Sequence, residues 1–348
     1  MKRAIATTVL LLLTAGCCIP LPFGDDEATP PVAPVAPVPA AAAAPTPEPV
    51  ASEPAVPVSE LEAHKVAEYS RHCINRFSER AFSSRGRYLQ WVDEETGPTG
   101  RERHVYGVYT LNGSATPCRE AVERAAGMQP PMPAAEAAAT AYASAVETLI
   151  PLLQRADRYY ERETYRDDDM AQAREMHPQL MGAFRAFADA DRALRAQVEG
   201  VQDRAREERL ARLASDPARR TEFLIERTVA QALTVVRMGE ALRIEDRRYV
   251  ADDPAAFIAA VETLRAGVDE LEGHHPSDAP SGFGRFRGEV EEVLEAALAL
   301  MRRVRDEEPL SRSDLSRVGT SGEWMTDGSF GKLRDEYNEM ISAYNSVY

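Results

Sequence analysis

Residues 142–160 read YASAVETLIPLLQRADRYY, and residues 170–201 read MAQAREMHPQLMGAFRAFADADRALRAQVEGV. In the first, Tyr142, Val146, Leu149, Leu153, Ala156 and Tyr160 recur in strict alternation of four and three. In the second, Met170, Ala173, His177, Leu180, Phe184, Phe187, Asp191, Leu194, Val198 and Val201 keep the same rhythm. That period puts every named residue on one face of a helix. Each helix is thus an amphipathic rod that needs a partner for its apolar face. His177 and Asp191 are polar residues on an otherwise apolar stripe.

The pattern extends in both directions. Val66, Tyr69, Cys73, Phe77, Ala81, Ser84 and Tyr88 predict a first helix over about 60–91, with Cys73 facing inward. Gly97-Pro98-Thr99-Gly100 breaks the chain. Residues 104–112 (HVYGVYTLN) alternate and are rich in Val and Tyr, which predicts a strand, paired with 88–92 in a short hairpin. Cys118 opens a short helix to about Ala126, ended by Pro130, Pro131 and Pro133. Asp216-Pro217 and Asp253-Pro254 each place an N-cap before a proline at the first helical position. The first starts a helix through Val229, Val236 and Leu242, the second one through Phe257, Val261, Leu264, Val268 and Leu271. His274-His275-Pro276 through Gly284 is a loop. Phe286, Val290, Val293, Ala297, Leu300 and Val304 mark another helix. Leu333, Tyr337, Ile341, Tyr344 and Tyr348 mark the last, after a polar segment ending at Gly328. Helices of this length must pack on one another. The expected fold is all-α: an elongated antiparallel helical bundle over residues 60–348. A small N-terminal subdomain, stapled by a disulfide, would carry the short β-hairpin.

The first 59 residues read differently. Lys2 and Arg3 precede an apolar run from Ala4 to Leu13, too short to span a bilayer and typical of a targeting segment. Leu13-Thr14-Ala15-Gly16-Cys17 resembles a bacterial lipobox. Residues 1–16 are therefore expected to be a lipoprotein signal peptide, with lipid on Cys17 anchoring the chain at a membrane surface. The competing reading is an ordinary cleaved signal. Residues 19–59 hold 12 of the 24 prolines. Residues 17–59 are thus expected to form an extended tether of about 3.1 Å per residue, reaching on the order of 100 Å.

The formal net charge of −15 argues against nucleic-acid binding, which needs a basic footprint. Beyond Cys17 and Cys18 the chain holds Cys73 and Cys118. In an oxidising compartment these are expected to pair, contributing roughly 3–4 kcal/mol by constraining the unfolded chain. Two reduced, buried cysteines are the alternative. No Cys-x-x-Cys, His-Glu-x-x-His, phosphate loop, nucleophile elbow or calcium loop is present, so neither metal nor cofactor is expected.

Several segments together resemble the YiiG-like lipoproteins of Gram-negative bacteria: Tyr88-Leu89-Gln90-Trp91-Val92 with Gly97-Pro98-Thr99-Gly100, Tyr106-Gly107-Val108-Tyr109, Tyr159-Tyr160 with Tyr165 and Asp167-Asp168-Asp169, His177-Pro178-Gln179-Leu180, and Tyr337-Asn338 recurring as Tyr344-Asn345. The resemblance spans about 64–348. It implies an exported, lipid-anchored, all-helical protein and no particular activity.

Candidate binding residues are Tyr160, Tyr165, Asp168, His177, Tyr337 and Tyr344. Tyr159 through Asp169 sits at a helix–helix turn, where carboxylates near an imidazole suit a metal or substrate. The same aspartates suit a helix start, where an acidic N-cap meets the positive end of the dipole. His177 on an apolar face fits a satisfied core residue or a ligand. The tyrosines and asparagines of the last helix fit a partner face or a packed rim. The expected function is a non-catalytic binding or structural role in the cell envelope. The domain would face the periplasm, where another envelope protein is the expected partner, from the outer membrane by analogy with sorting at Cys18, or from the inner. A small-molecule pocket between helices is the alternative, and an enzyme the third.

Overall fold

The computed structural model describes residues 56–320 and 322–347. The lipobox, Cys17 and the tether up to residue 55 lie outside the described residues.

The described residues are all-α apart from one small hairpin. Helices α1 (Val58–Tyr69) and α2 (Asn75–Leu89) are joined by a π-helical turn, Ser70–Ile74, so the first predicted helix is present with one widened turn. Then come α3 (Thr116–Ala126), α4 (Pro133–Glu161) and the 44-residue α5 (Ala171–Ala214). α4 and α5 pack along each other, with α1 against α5 and α3 against α1 and α4. Their apolar faces meet in a first core built from Phe77, Tyr142, Leu149, Leu153, Phe184 and Phe187, among others. Pro151 and Pro178 lie inside α4 and α5, which continue through them.

Helices α6 (Arg220–Glu240), α7 (Pro254–Glu272), α8 (Phe283–Arg305), the short α9 (Arg312–Leu315) and α10 (Phe330–Tyr344) complete the chain. α6, α7, α8 and α10 surround a second core that includes Phe257, Leu264, Phe286, Val293, Leu300 and Leu333. Asp253 caps α7 by accepting from Ala256 N at 2.9 Å, as its sequence predicts. The other Asp-Pro pair starts a single 3₁₀ turn, Pro217–Arg219, ahead of α6.

The expected disulfide is present: Cys73 in the π turn bonds Cys118 in α3, both fully buried. A second staple was not anticipated. Lys65 of α1 is completely buried, and its ammonium donates to Met128 O at 3.0 Å, to Pro130 O at 3.1 Å and to the Glu136 carboxylate. All three of its protons are used, which is what makes a buried cation tolerable.

The hairpin lies elsewhere than the sequence suggests. Residues 104–112 form no strand and do not pair with 88–92, because Tyr88 stays in α2 and side chains engage five of the segment's backbone groups. Arg87 Nε donates to Tyr106 O, Trp91 Nε1 to Gly107 O, Ser84 Oγ to Tyr109 O and Arg80 Nε to Thr110 O. Tyr109 N in turn donates to Ser84 Oγ. Groups that a ladder would consume are already spent on α2 and the turn after it, and Gly107 at φ 67° interrupts the extended run. The observed hairpin is β1 (Arg243–Glu245) with β2 (Arg248–Val250), antiparallel, within the second half of the chain.

Candidate functional site

The polar and aromatic residues singled out by the sequence fall into two separate groups. Tyr160, Tyr165, Asp168 and His177 gather where α4 turns into α5, within the first core. Tyr337 and Tyr344 lie on α10 and pack against the second.

At the first group, α2 brings Tyr88, the turn after it brings Trp91, the end of α4 brings Tyr159 and Tyr160, and α5 brings His177. The rings pack edge to face: Trp91 and Tyr160 are 5.2 Å apart, Tyr159 and Tyr160 5.1 Å, Tyr88 and Trp91 5.5 Å. Tyr165 closes the group at 6.3 Å from Tyr160. His177 Nε2 lies 3.0 Å from the carbonyl of Glu94 and its Nδ1 3.0 Å from the Tyr88 hydroxyl. A carbonyl only accepts, so Nε2–H donates to Glu94 O, and Nδ1 shares the second bond with the Tyr88 hydroxyl. Asp191, four stripe positions further on, is served separately: Ser78 Oγ donates to Oδ1 and Arg195 Nε to Oδ2 at 2.8 Å.

The 93–112 loop covers this cluster. Asp93 Oδ1 accepts from Glu95 N, Thr96 N and Thr96 Oγ1, and the bond from Thr96 N foremost holds the carboxyl below the usual range. Glu102 folds back onto Thr99 and Gly100 in the same way. Two glycines let the loop approach. A Cβ on Gly97 would stand 2.9 Å from the His177 ring, and one on Gly107 3.3 Å from Tyr160 Cβ. Both have positive φ, 71° and 67°, which costs glycine nothing. Over the outside of the loop, Arg80 and Arg87 lie 4.1 and 4.5 Å from the Tyr109 ring centroid, a cation–π clamp on α2.

Asp168 behaves as a helix-start residue. Its Oδ1 accepts from Tyr159 Oη at 2.7 Å and its Oδ2 from Gln172 N at 3.1 Å. Desolvation pushes this carboxyl up, but the Tyr159 bond and the α5 amides outweigh it, and the net shift is downward. The phenols move the other way. Burial pushes Tyr88 up to about 12, and burial with the neighbouring phenols and Glu102 pushes Tyr160 further still. The Tyr160 hydroxyl is buried, and its interaction with the Tyr88 hydroxyl adds to the upward shift. These phenols are therefore held neutral through the physiological range.

At the second group the Tyr344 hydroxyl donates to Glu226 at 2.8 Å, and Arg209 pairs with the same carboxylate at 2.9 Å. Tyr337 is half-buried, and burial raises its pKa against the opposing pull of Arg206 and Arg237. Among the described residues no His, Cys, Asp and Glu set is placed to hold a metal ion, and no helix is long and apolar enough to cross a membrane.

A profile described as "Protein of unknown function (DUF3829)" matches residues 60–346. The chain belongs to this family. Among curated proteins it is similar to the uncharacterized protein YiiG of Escherichia coli K12, with 27% identity over 268 residues, covering 76% of this chain and 73% of that protein. No solved structure matches it significantly. The DUF3829 region thus coincides with the helices just described. The cluster residues that the stripe reading passes over are Trp91, Gly97, Gly107 and Glu102. Their signal is the pair of glycine-bearing segments, of which the first reads as a chain break and the second as a strand until their contact with His177 and Tyr160 is seen.

Two outcomes follow from the packing. Gly97→Ala forces a methyl into the imidazole at an unfavourable φ, so it is expected to lower stability by about 2 kcal/mol or more. Urea unfolding against the wild type measures this. For pH, phenols titrate near 10 when unfolded and higher when native, so the native state holds more protons between those values. Their stabilising share is complete below about pH 10 and is lost as pH rises towards and past 12. Absorbance at 295 nm should then show Tyr88 and Tyr160 ionising with unfolding. Their ionisation near pH 10 in a folded chain would contradict the burial described.

Proposed function

We propose that the chain is a lipid-anchored protein of the bacterial envelope, held through Cys17, whose DUF3829 domain faces the periplasm and has a non-catalytic binding or structural role. The observation that carries this reading is the closed state of the Tyr88–Trp91–Tyr160–His177 cluster. Both nitrogens of His177 are engaged inside the protein, and two glycines bring the loop into contact with the rings. Such a cluster rigidifies a bundle end. A small-molecule pocket lined by these tyrosines and His177 is disfavoured, because the space is occupied by their own side chains. Proton transfer by Tyr88 at neutral pH is disfavoured because burial raises its phenol to about 12.

Export is supported by the buried Cys73–Cys118 bridge, since disulfides form and persist outside the cytoplasm. The lipobox ending at Cys17 and the proline-rich tether support anchoring at a distance. Cys18 after the lipidated residue, where sorting to the inner membrane uses Asp, favours the outer membrane.

The test is cross-linking mass spectrometry on native membranes with the intact chain and with Cys17→Ser. The intact chain is expected in the membrane fraction with cross-links to an envelope partner, and the variant is expected to lose both. A variant that stays in membranes contradicts the anchor; absence of any partner for the intact chain contradicts the interaction role.

A further inference from the structure

The hairpin that the sequence does not announce forms one wall of a cavity. The turn between β1 and β2 consists of Asp246 and Arg247, at φ 47° and 66°. A two-residue hairpin turn with both φ positive ordinarily has glycine at the second position. Arg247 stands there instead, and its carbonyl accepts from Leu310 N at 2.7 Å. Leu310 is fully buried, so this bond fixes the turn against the segment that follows α8. In that segment Glu307 also has positive φ, 51°, and its carboxylate lies 3.7 Å from Arg248. Two of the backbone's uncommon conformations, at Asp246 and Glu307, thus fall on the lining of one hollow, with Arg247 next to the first in the turn. Strain of this kind persists only where surrounding contacts impose it, and it concentrates at binding features.

The hollow has a volume of about 420 Å³, within the range of small-ligand sites. Val250, Ala251, Ile258 and Val304 make an apolar floor. Its charged rim holds three carboxylates, Glu245, Asp246 and Glu307, against two guanidinium groups, Arg248 and Arg305. Arg305 is taken by Asp306 through two bonds of 2.8 Å, Arg248 faces Glu307, and Glu245 faces Arg243. Asp246 has no hydrogen bond or ion pair among the described residues. The unanswered charge over an apolar floor is therefore negative, on a chain of formal net charge −15 that attracts cations.

The geometry points to a binding site for a hydrophobic cation, an alkyl or aryl ammonium group. Its apolar body would lie on Val250, Ile258 and Val304, and its ammonium would meet Asp246. The site is remote in sequence from the tyrosine–histidine cluster. It deepens the binding role proposed above without depending on the lipid anchor or on any protein partner.

Isothermal titration of the full-length chain with 2-phenylethylammonium, and with neutral 2-phenylethanol, tests it. Saturable one-to-one binding of the amine is expected, with the alcohol about 5-fold weaker and the amine weakened about 5-fold by Asp246→Asn, the worth of one partly exposed ion pair. Asn accepts positive φ, so that variant keeps the turn. Ala251→Trp should abolish binding with helix content unchanged by circular dichroism. No saturable binding, equal affinity for amine and alcohol, or an unaltered Asp246→Asn affinity would each overturn the assignment. None of these results bears on the membrane cross-linking, so the two readings fail separately.

Discussion

Helix α5 runs 44 residues without a break, about 66 Å at 1.5 Å per residue, and its two ends are held by different forces. From Ala173 to Val201 it buries an apolar stripe against α4 and α1, where close packing supplies the stabilisation. Beyond Val201 the helix still buries Ala205 and Leu213, and a series of ion pairs reaches α6 and α1. Asp203 takes Arg237 of α6 at 2.8 and 3.0 Å, and Arg209 takes Glu222 and Glu226 at 3.1 and 2.9 Å. On its other side Arg212 pairs with Glu60, and Glu208 accepts from Ser59. The two apolar cores are separate clusters, and α5 is the element that ties one to the other. Exposed and half-exposed ion pairs are individually weak and are screened by salt. The join between the cores is therefore the softer part of the domain.

The same arrangement explains where the chemistry-bearing side chains went. A stripe that must be buried along its whole length leaves no polar residue free to serve a ligand. His177 and Asp191 occur on it because each finds partners across the interface, His177 on α2 and the loop, Asp191 on Ser78 of α2 and on Arg195. Lys65 is accommodated by the same logic. In the second core Glu323 is buried and accepts from Tyr249 Oη, Gly319 N and Gly331 N, fixing the loop before α10. Buried polar groups in this protein hold connections in place; Tyr249, which also lines the open hollow beside the hairpin, is one of them, whereas Asp246 on its rim is free of that duty.

The helices were legible because burial on one face writes a three-to-four period into the sequence. The Cys73–Cys118 pair was legible because few pairings exist. The Asp253 cap was legible from its proline. Residues 104–112 misled because an alternating Val/Tyr pattern records which side chains are inward, and says nothing about which groups satisfy the backbone. Here Arg80, Ser84, Arg87 and Trp91 do so, from positions 16 to 30 residues away. The true hairpin was invisible because its turn is Asp-Arg, without the glycine that marks such turns. Of the candidate site, the Tyr160–Tyr165–Asp168–His177 grouping was legible from proximity along two stripes. The glycines that admit the loop, and the separation of Tyr337 and Tyr344 from that group, depend on three-dimensional contacts that no local pattern encodes.

The central claim is that one continuous helix joins two apolar cores through ion pairs. Native-state hydrogen exchange at low and at high salt tests it most directly. At low salt, amides of α4 and α5 up to Val201 and those of α7 and α8 should report similar opening free energies. In about 1 M salt, where screening acts within about 3 Å, the two sets should separate, with Asp203–Ala214 losing protection first. A single opening free energy across both cores that does not respond to salt would contradict the account.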